Sequence, residues 1–182
     1  MNDYITNKDK VYPALPIVIQ TLGLNTIGEI IPIEHSSSLV FGWLDRYCGI
    51  DWILKTNDEH VLGIAARIQL TKPYYYNDPQ NTFTIRYETV AGGKTEYKKR
   101  IESINQGYFY PYYTLHAYVK EEDPKCLLSA AIIKTVDLYD YCRQYSYEVD
   151  TNKRDNAFKI IQWRYLQKRN YNMFITGSYI QS

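Results

Sequence analysis

The sequence lacks most features that assign a chain to a class at sight. No run approaches the ~18 uninterrupted apolar residues of a spanning helix, so no membrane association is expected. Cysteine is scarce. Cys48, Cys126 and Cys142 are widely spaced and form no CxxC pair, which argues against a disulfide scaffold and for reduced thiols in a cytoplasmic protein. His35, His60 and His116 are equally scattered and suggest no zinc site. Charge of one sign is also missing. With Lys+Arg 21 against Asp+Glu 20 the net charge is +1, which excludes a uniformly basic nucleic-acid coat and leaves room for a local basic patch. There is no P-loop, GxGxxG, GxSxG or HExxH. Met1 to Lys10 is polar and mixed in charge, unlike a secretory leader.

What remains is an ordinary globular composition, 45% hydrophobic and 23% charged over 182 residues, enough for one domain with its own core. Aromatics are abundant, with 20 Tyr, 5 Phe and 3 Trp. Tyr clusters at 74–76, 108–113 and 139–147, and suits either half-buried strands or a stacking and interface surface.

Periodicity predicts a short helix after Pro16, an irregular or edge strand at 29–34 and a helix after Ser36-Ser37-Ser38 that breaks at Gly49. Strands are expected at 50–56, 61–70, 81–90, 112–119 and 126–133, with a helix at 96–106 between Thr95 and Gly107. Thr135 or Asp137 would cap a further helix. Residues 150–154 read as a charged linker, 157–167 as a helix and 173–180 as a last strand. The fold class expected is α/β or α+β, a single domain with a mixed central sheet flanked by helices. Residues 1–149 would form the core with an N-terminal lead, and 150–182 a helical and strand extension packed on it.

One stretch invites a chemical reading. Gly49-Ile50-Asp51 sets a carboxylate at the start of a strand. On the next strand, a period of two puts Ala65, Arg67 and Gln69 on one face and Ala66 and Ile68 on the other. An arginine in so apolar a strand needs a partner or water, and Asp51 is the obvious partner.

This Gly-Ile-Asp, hairpin, apolar-strand segment resembles the PD-(D/E)XK nuclease superfamily, over about residues 38–118. The resemblance implies a restriction-endonuclease-like fold and a divalent cation, Mg²⁺, held by Asp51 and an acidic-X-Lys element on the adjacent strand. Arg67 takes the Lys position and Ala65 the acidic one. An alternative register puts Gln69 at the acidic-or-Gln position, with Thr71 where Lys belongs. Glu29, Glu34 or Asp45 could serve as an upstream acid. Arginine is a poor base and alanine no ligand, so either Glu88 and Glu96 rebuild the site or the domain is an inactive relative. The order of Gly-Ile-Asp, Ala-Ala-Arg-Ile-Gln, Phe-Thr-Ile-Arg and Thr-Glu-Tyr-Lys-Lys-Arg is also similar to that of uncharacterised phage- and prophage-borne proteins, a similarity that implies no activity.

A second cluster follows at Arg86 and at Glu96, Lys98, Lys99 and Arg100, with Glu96, Lys99 and Arg100 sharing a helix face. His116 lies on the strand after it. The expected pocket combines Asp51, Arg67, Gln69, Glu96 and Lys99 as catalytic candidates, Arg86, Arg100 and His116 as phosphate ligands, and Asp51 with Glu88 as metal ligands. The expected function is nucleic-acid processing, by a Mg²⁺-dependent nuclease or an inactive relative. The alternative is an interaction subunit or inhibitor in a phage or anti-phage defence assembly, with a protein partner or a second copy and a nucleotide or phosphate ligand.

Overall fold

The structure, a computed structural model, describes residues 12–33, 38–87, 94–152 and 157–177. Nine strands form two sheets among these residues. The main sheet is mixed and six-stranded, in the order β1 (Gly28–Pro32), β2 (Trp52–Thr56), β3 (Val61–Thr71), β5 (Tyr113–Lys120), β6 (Leu127–Lys134) and β9 (Met173–Gly177). Its pairs are antiparallel except for β3 and β5, which run parallel, with Arg67 opposite His116. The second sheet holds β4 (Thr82–Arg86), β8 (Phe158–Gln162) and β7 (Asp150–Asn152), in the order β4-β8-β7.

β5 and β6 are buried through their middles, as central strands covered on both faces should be. One face packs Trp52, Leu54, Ile64, Leu115, Ala117, Ala130 and Ile132 against Leu15, Val18, Leu22 and Leu24 of α1 (Leu15–Thr21) and α2 (Leu24–Ile27). The other face packs Tyr118, Ala131 and Ile133 against Phe83, Ile85 and Ile161 of the second sheet. Leu138, Tyr139, Tyr141 and Cys142 of α5 (Thr135–Gln144) and Trp163 and Leu166 of α6 (Trp163–Lys168) complete this core. Between Tyr118 and Val119 the β5–β6 register slips by one residue, because Val119 pairs with Leu127 rather than Leu128. That bulge turns Leu128 to the same side as Ala131.

Polar side chains on these buried strands are partnered. The Thr114 and Thr135 hydroxyls meet at 2.9 Å, and Ser129 Oγ donates to Asn81 Oδ1 at 2.6 Å. The two sheets are joined at Thr82. Its carbonyl accepts from the Tyr118 hydroxyl at 3.0 Å, and its N–H donates back to that hydroxyl at 3.2 Å.

Several expectations change. The 81–90 strand forms as β4 over 82–86 but leaves the central sheet for a second one. Residues 150–152 of the expected charged linker are β7. The helix expected over 157–167 begins instead as β8, because Thr82–Arg86 offers a full antiparallel partner to Phe158–Gln162. Only Trp163–Lys168 is helical. The stretch expected as an extension from residue 150 therefore supplies β7 and β8 to the second sheet and β9 to the edge of the first. Ser36 and Ser37 lie outside the described residues. The helix expected after Ser38 is α3 (Leu39–Trp43), which widens into a π-helical turn at Leu44–Cys48. Among the described residues no helix is long and apolar enough to cross a membrane.

Leu115 is fully buried at the centre of the main sheet. Leu115→Ala is expected to cost about 2–5 kcal/mol, lowering the urea midpoint with the m-value unchanged.

Candidate functional site

The helix α4 (Glu96–Gln106) organises a cleft on the face of the main sheet that carries the second sheet. Thr95 caps it, its hydroxyl accepting the Lys98 N–H at 3.4 Å, and Gly107 closes it in the left-handed conformation, φ 68°. Tyr97, Ile101 and Ile104 face the core. The adjacent face of the helix turns Glu96, Lys99, Arg100 and Ser103 into the cleft. With Arg67 from β3, Arg86 from the end of β4 and Lys94, these residues line a cavity of about 320 Å³, bordered by Tyr47, Cys48 and Gly49.

Each arginine is held differently. Arg67 donates through Nη1 to the Thr84 carbonyl at 3.0 Å and to Thr84 Oγ1 at 2.5 Å, which ties β3 to β4. Its Nη2 lies 3.7 Å from Glu96 Oε2, a half-exposed pair that contributes about 0.2–1 kcal/mol. Glu96 Oε2 also accepts the Arg86 backbone N–H at 3.3 Å. The guanidinium groups of Arg67 and Arg86 lie 5.8 and 5.6 Å from the centre of the Phe158 ring. Arg86 Nε is buried with no acceptor among the described residues.

Arg100 is only 6% exposed. Its guanidinium donates to the Cys48 carbonyl and to the Gly49 carbonyl at 3.3 Å, both neutral acceptors. Gly49 makes this approach possible. Its φ is 61°, and a Cβ there would stand 2.7 Å from Arg100 Nη2. Burial raises the Cys48 thiol above its ordinary value more than Arg100 lowers it, so this cysteine is no ready nucleophile.

Lys94 is paired with Glu102 at 2.5 Å, and Lys99 is exposed. The lining thus sets five cations against one carboxylate, Glu96, with Glu102 neutralising Lys94, in a chain whose net charge is only +1. Such an excess attracts anions, and guanidinium forks suit the oxygens of phosphate.

Of the residues expected to converge, Arg67, Arg86, Glu96, Lys99 and Arg100 do. Asp51, Gln69 and His116 do not line the cleft. The Asp51 carboxylate accepts the Ala66 N–H at 2.6 Å, which extends the β2–β3 pairing. Gln69 stands opposite Tyr118, half-buried on β3. His116 is buried beneath β4, where Nδ1 donates to the Thr82 carbonyl at 3.1 Å and the ring packs edge-on against Phe83. Burial first, and the Arg67 charge second, hold its imidazole well below its ordinary value, the Thr82 bond opposing them. Glu88 and Glu34 lie outside the described residues.

The expected Mg²⁺ site rests partly on Glu88, which lies outside the described residues. Among them no three His, Cys, Asp or Glu side chains cluster closely enough to hold a metal ion, and the one acid of the cleft faces an arginine. Tyr47, Lys94 and Phe158 were missed from sequence. Phe158 falls in the stretch expected as a helix, and nothing in the local pattern of Lys94 or Tyr47 marks either. No family model, no curated protein and no solved structure matches this chain.

Two outcomes follow. Gly49→Ala should destabilise more than Gly107→Ala, by about 1 kcal/mol or more in urea unfolding, since both need the left-handed region but only Gly49 meets a guanidinium. His116 binds its proton in the unfolded chain and resists it when folded. Stability should therefore fall on acidification below about pH 6.5, by up to roughly 1.4 kcal/mol per pH unit. His116→Gln should show a shallower fall between about pH 6.5 and about 5.5 in urea unfolding.

Proposed function

We propose that this chain binds nucleic acid through its phosphodiester backbone in the cation-lined cleft, on a restriction-endonuclease-like scaffold that has lost the metal-dependent step. The observation that carries the reading is the convergence of Arg67 from β3, Arg86 from β4, Lys99 and Arg100 from α4 and Lys94 just before it, with Glu96 lining the cleft and Glu102 paired to Lys94. The nuclease-like part rests on the neighbouring places of Asp51, just before β2, and the Ala65-x-Arg67 face of β3. With Ala65 in the acidic position, Arg67 in that of the lysine and Asp51 bonded to a backbone N–H, the same framework grips phosphate rather than activating water. Arg67 and Glu96 hold each other, so an incoming phosphate would share a fork already oriented for it. Lys99 adds a mobile point charge at the cleft mouth.

The test is binding of a labelled oligonucleotide by fluorescence anisotropy across a salt series. Affinity should fall steeply with salt, and Lys99→Ala, at an exposed position, should weaken binding several-fold and flatten the log–log slope by about 0.7–1. The wild type should leave the oligonucleotide intact with Mg²⁺ or Mn²⁺. No binding at low salt, or a slope that Lys99→Ala leaves unchanged, would refute the cleft as the site. Cleavage abolished by Asp51→Asn would show instead that the metal-dependent chemistry survives.

A further inference from the structure

Resting on that reading, we infer that the nucleic acid in this cleft is single-stranded, with a base stacked on Tyr47 and its neighbour on Trp43. Tyr47 borders the cleft and is 59% exposed, and Trp43, one turn earlier, is 52% exposed. The other two tryptophans, Trp52 and Trp163, are 5% and 0% exposed. Exposed phenols also occur at Tyr74, Tyr108 and Tyr147, but Trp43 is the one indole of the three left largely in water. The two rings lie 5.9 Å apart between centroids and are tilted by 38°, so they form a continuous aromatic wall rather than a closed stack. The π-helical turn Leu44–Cys48 sets this wall against the cations. It carries Tyr47 into the cleft border, and its last carbonyl, that of Cys48, is fastened to Arg100.

A cationic groove flanked by exposed aromatic faces matches the way single strands are held, with phosphates in the groove and successive bases on the rings. A duplex keeps its base faces covered by stacking and would meet only the cations. A free mononucleotide would use one ring and one phosphate site, leaving Trp43 and the cations of a second element idle.

The experiment compares four ligands by anisotropy, directly or by competition: a labelled oligothymidylate, an abasic oligomer of the same length, the same strand in a duplex, and thymidine monophosphate. The oligothymidylate should bind roughly ten-fold or more tightly than the abasic oligomer, and it should quench tryptophan fluorescence. Tyr47→Ala should remove most of that margin. Tyr47→Phe should keep the margin, and Trp43→Phe should abolish the quenching. Tyr74→Ala, at an exposed tyrosine outside the cleft, should change nothing. Equal affinity for base-bearing and abasic strands would overturn the inference and leave the phosphate reading intact. So would duplex binding as tight as the single strand's, or competition by the monophosphate at the oligomer's affinity. Failure of every ligand to bind, the abasic strand included, would refute the phosphate reading and this inference with it.

Discussion

A buried guanidinium with neutral partners is the constraint on which the cleft depends. Arg100 cannot lose its charge, and a charge taken out of water must be compensated. The Cys48 and Gly49 carbonyls do this by pointing at one spot, which they can do only because Gly49 turns the chain through the left-handed region. The bond therefore joins the helix that carries Glu96 and Lys99 to the π-helical turn that carries Tyr47 and to the entry of β2, about 50 residues upstream. Because its acceptors are neutral, the positive charge is held in place without being cancelled. That combination of fixed position and surviving charge is what the proposed pull on anions would use.

The opposite wall depends on a second seam. β4 is not hydrogen-bonded into the main sheet. It is held over β5 by Thr82, whose backbone and hydroxyl meet the Tyr118 hydroxyl and whose carbonyl meets His116, and over β3 by Arg67 reaching Thr84. Each bond is individually modest, about 1 kcal/mol net. Left unmade, each would strand a buried polar group at greater cost. The expected site residues His116 and Asp51 are spent on this kind of work. His116 supports the seam and Asp51 completes a strand pairing. The polar residues that sequence reading groups as one site are thus divided between framework and cleft.

The helix from Glu96 to Gln106 was legible in detail because capping Thr95, closing Gly107 and a 3.6-residue apolar period agree. Its polar face was legible for the same reason, and with it Glu96, Lys99 and Arg100. The hairpin of β2 and β3 and the buried strands β5 and β6 were also visible in local patterns. The 157–167 segment was not. Phe158, Ile160 and Ile161 satisfy a helical spacing, while the β4 edge that makes 158–162 a strand is some 70 residues away in the chain. Phe158, beneath two arginines, was hidden with it.

Local periodicity, caps and turns thus determined a mixed α/β chain, its main elements and the clustering of positive charge around residues 86–100. These depend on interactions within a turn or a hairpin, which the order of residues alone specifies. Tertiary structure decided the departure of β4 into a second sheet, the entry of the C-terminal strands into both sheets, and the placing of Tyr47 beside cations about 50 residues downstream. Those outcomes turn on which unpaired edge and which buried charge found a partner across the molecule, and local sequence carries no record of that.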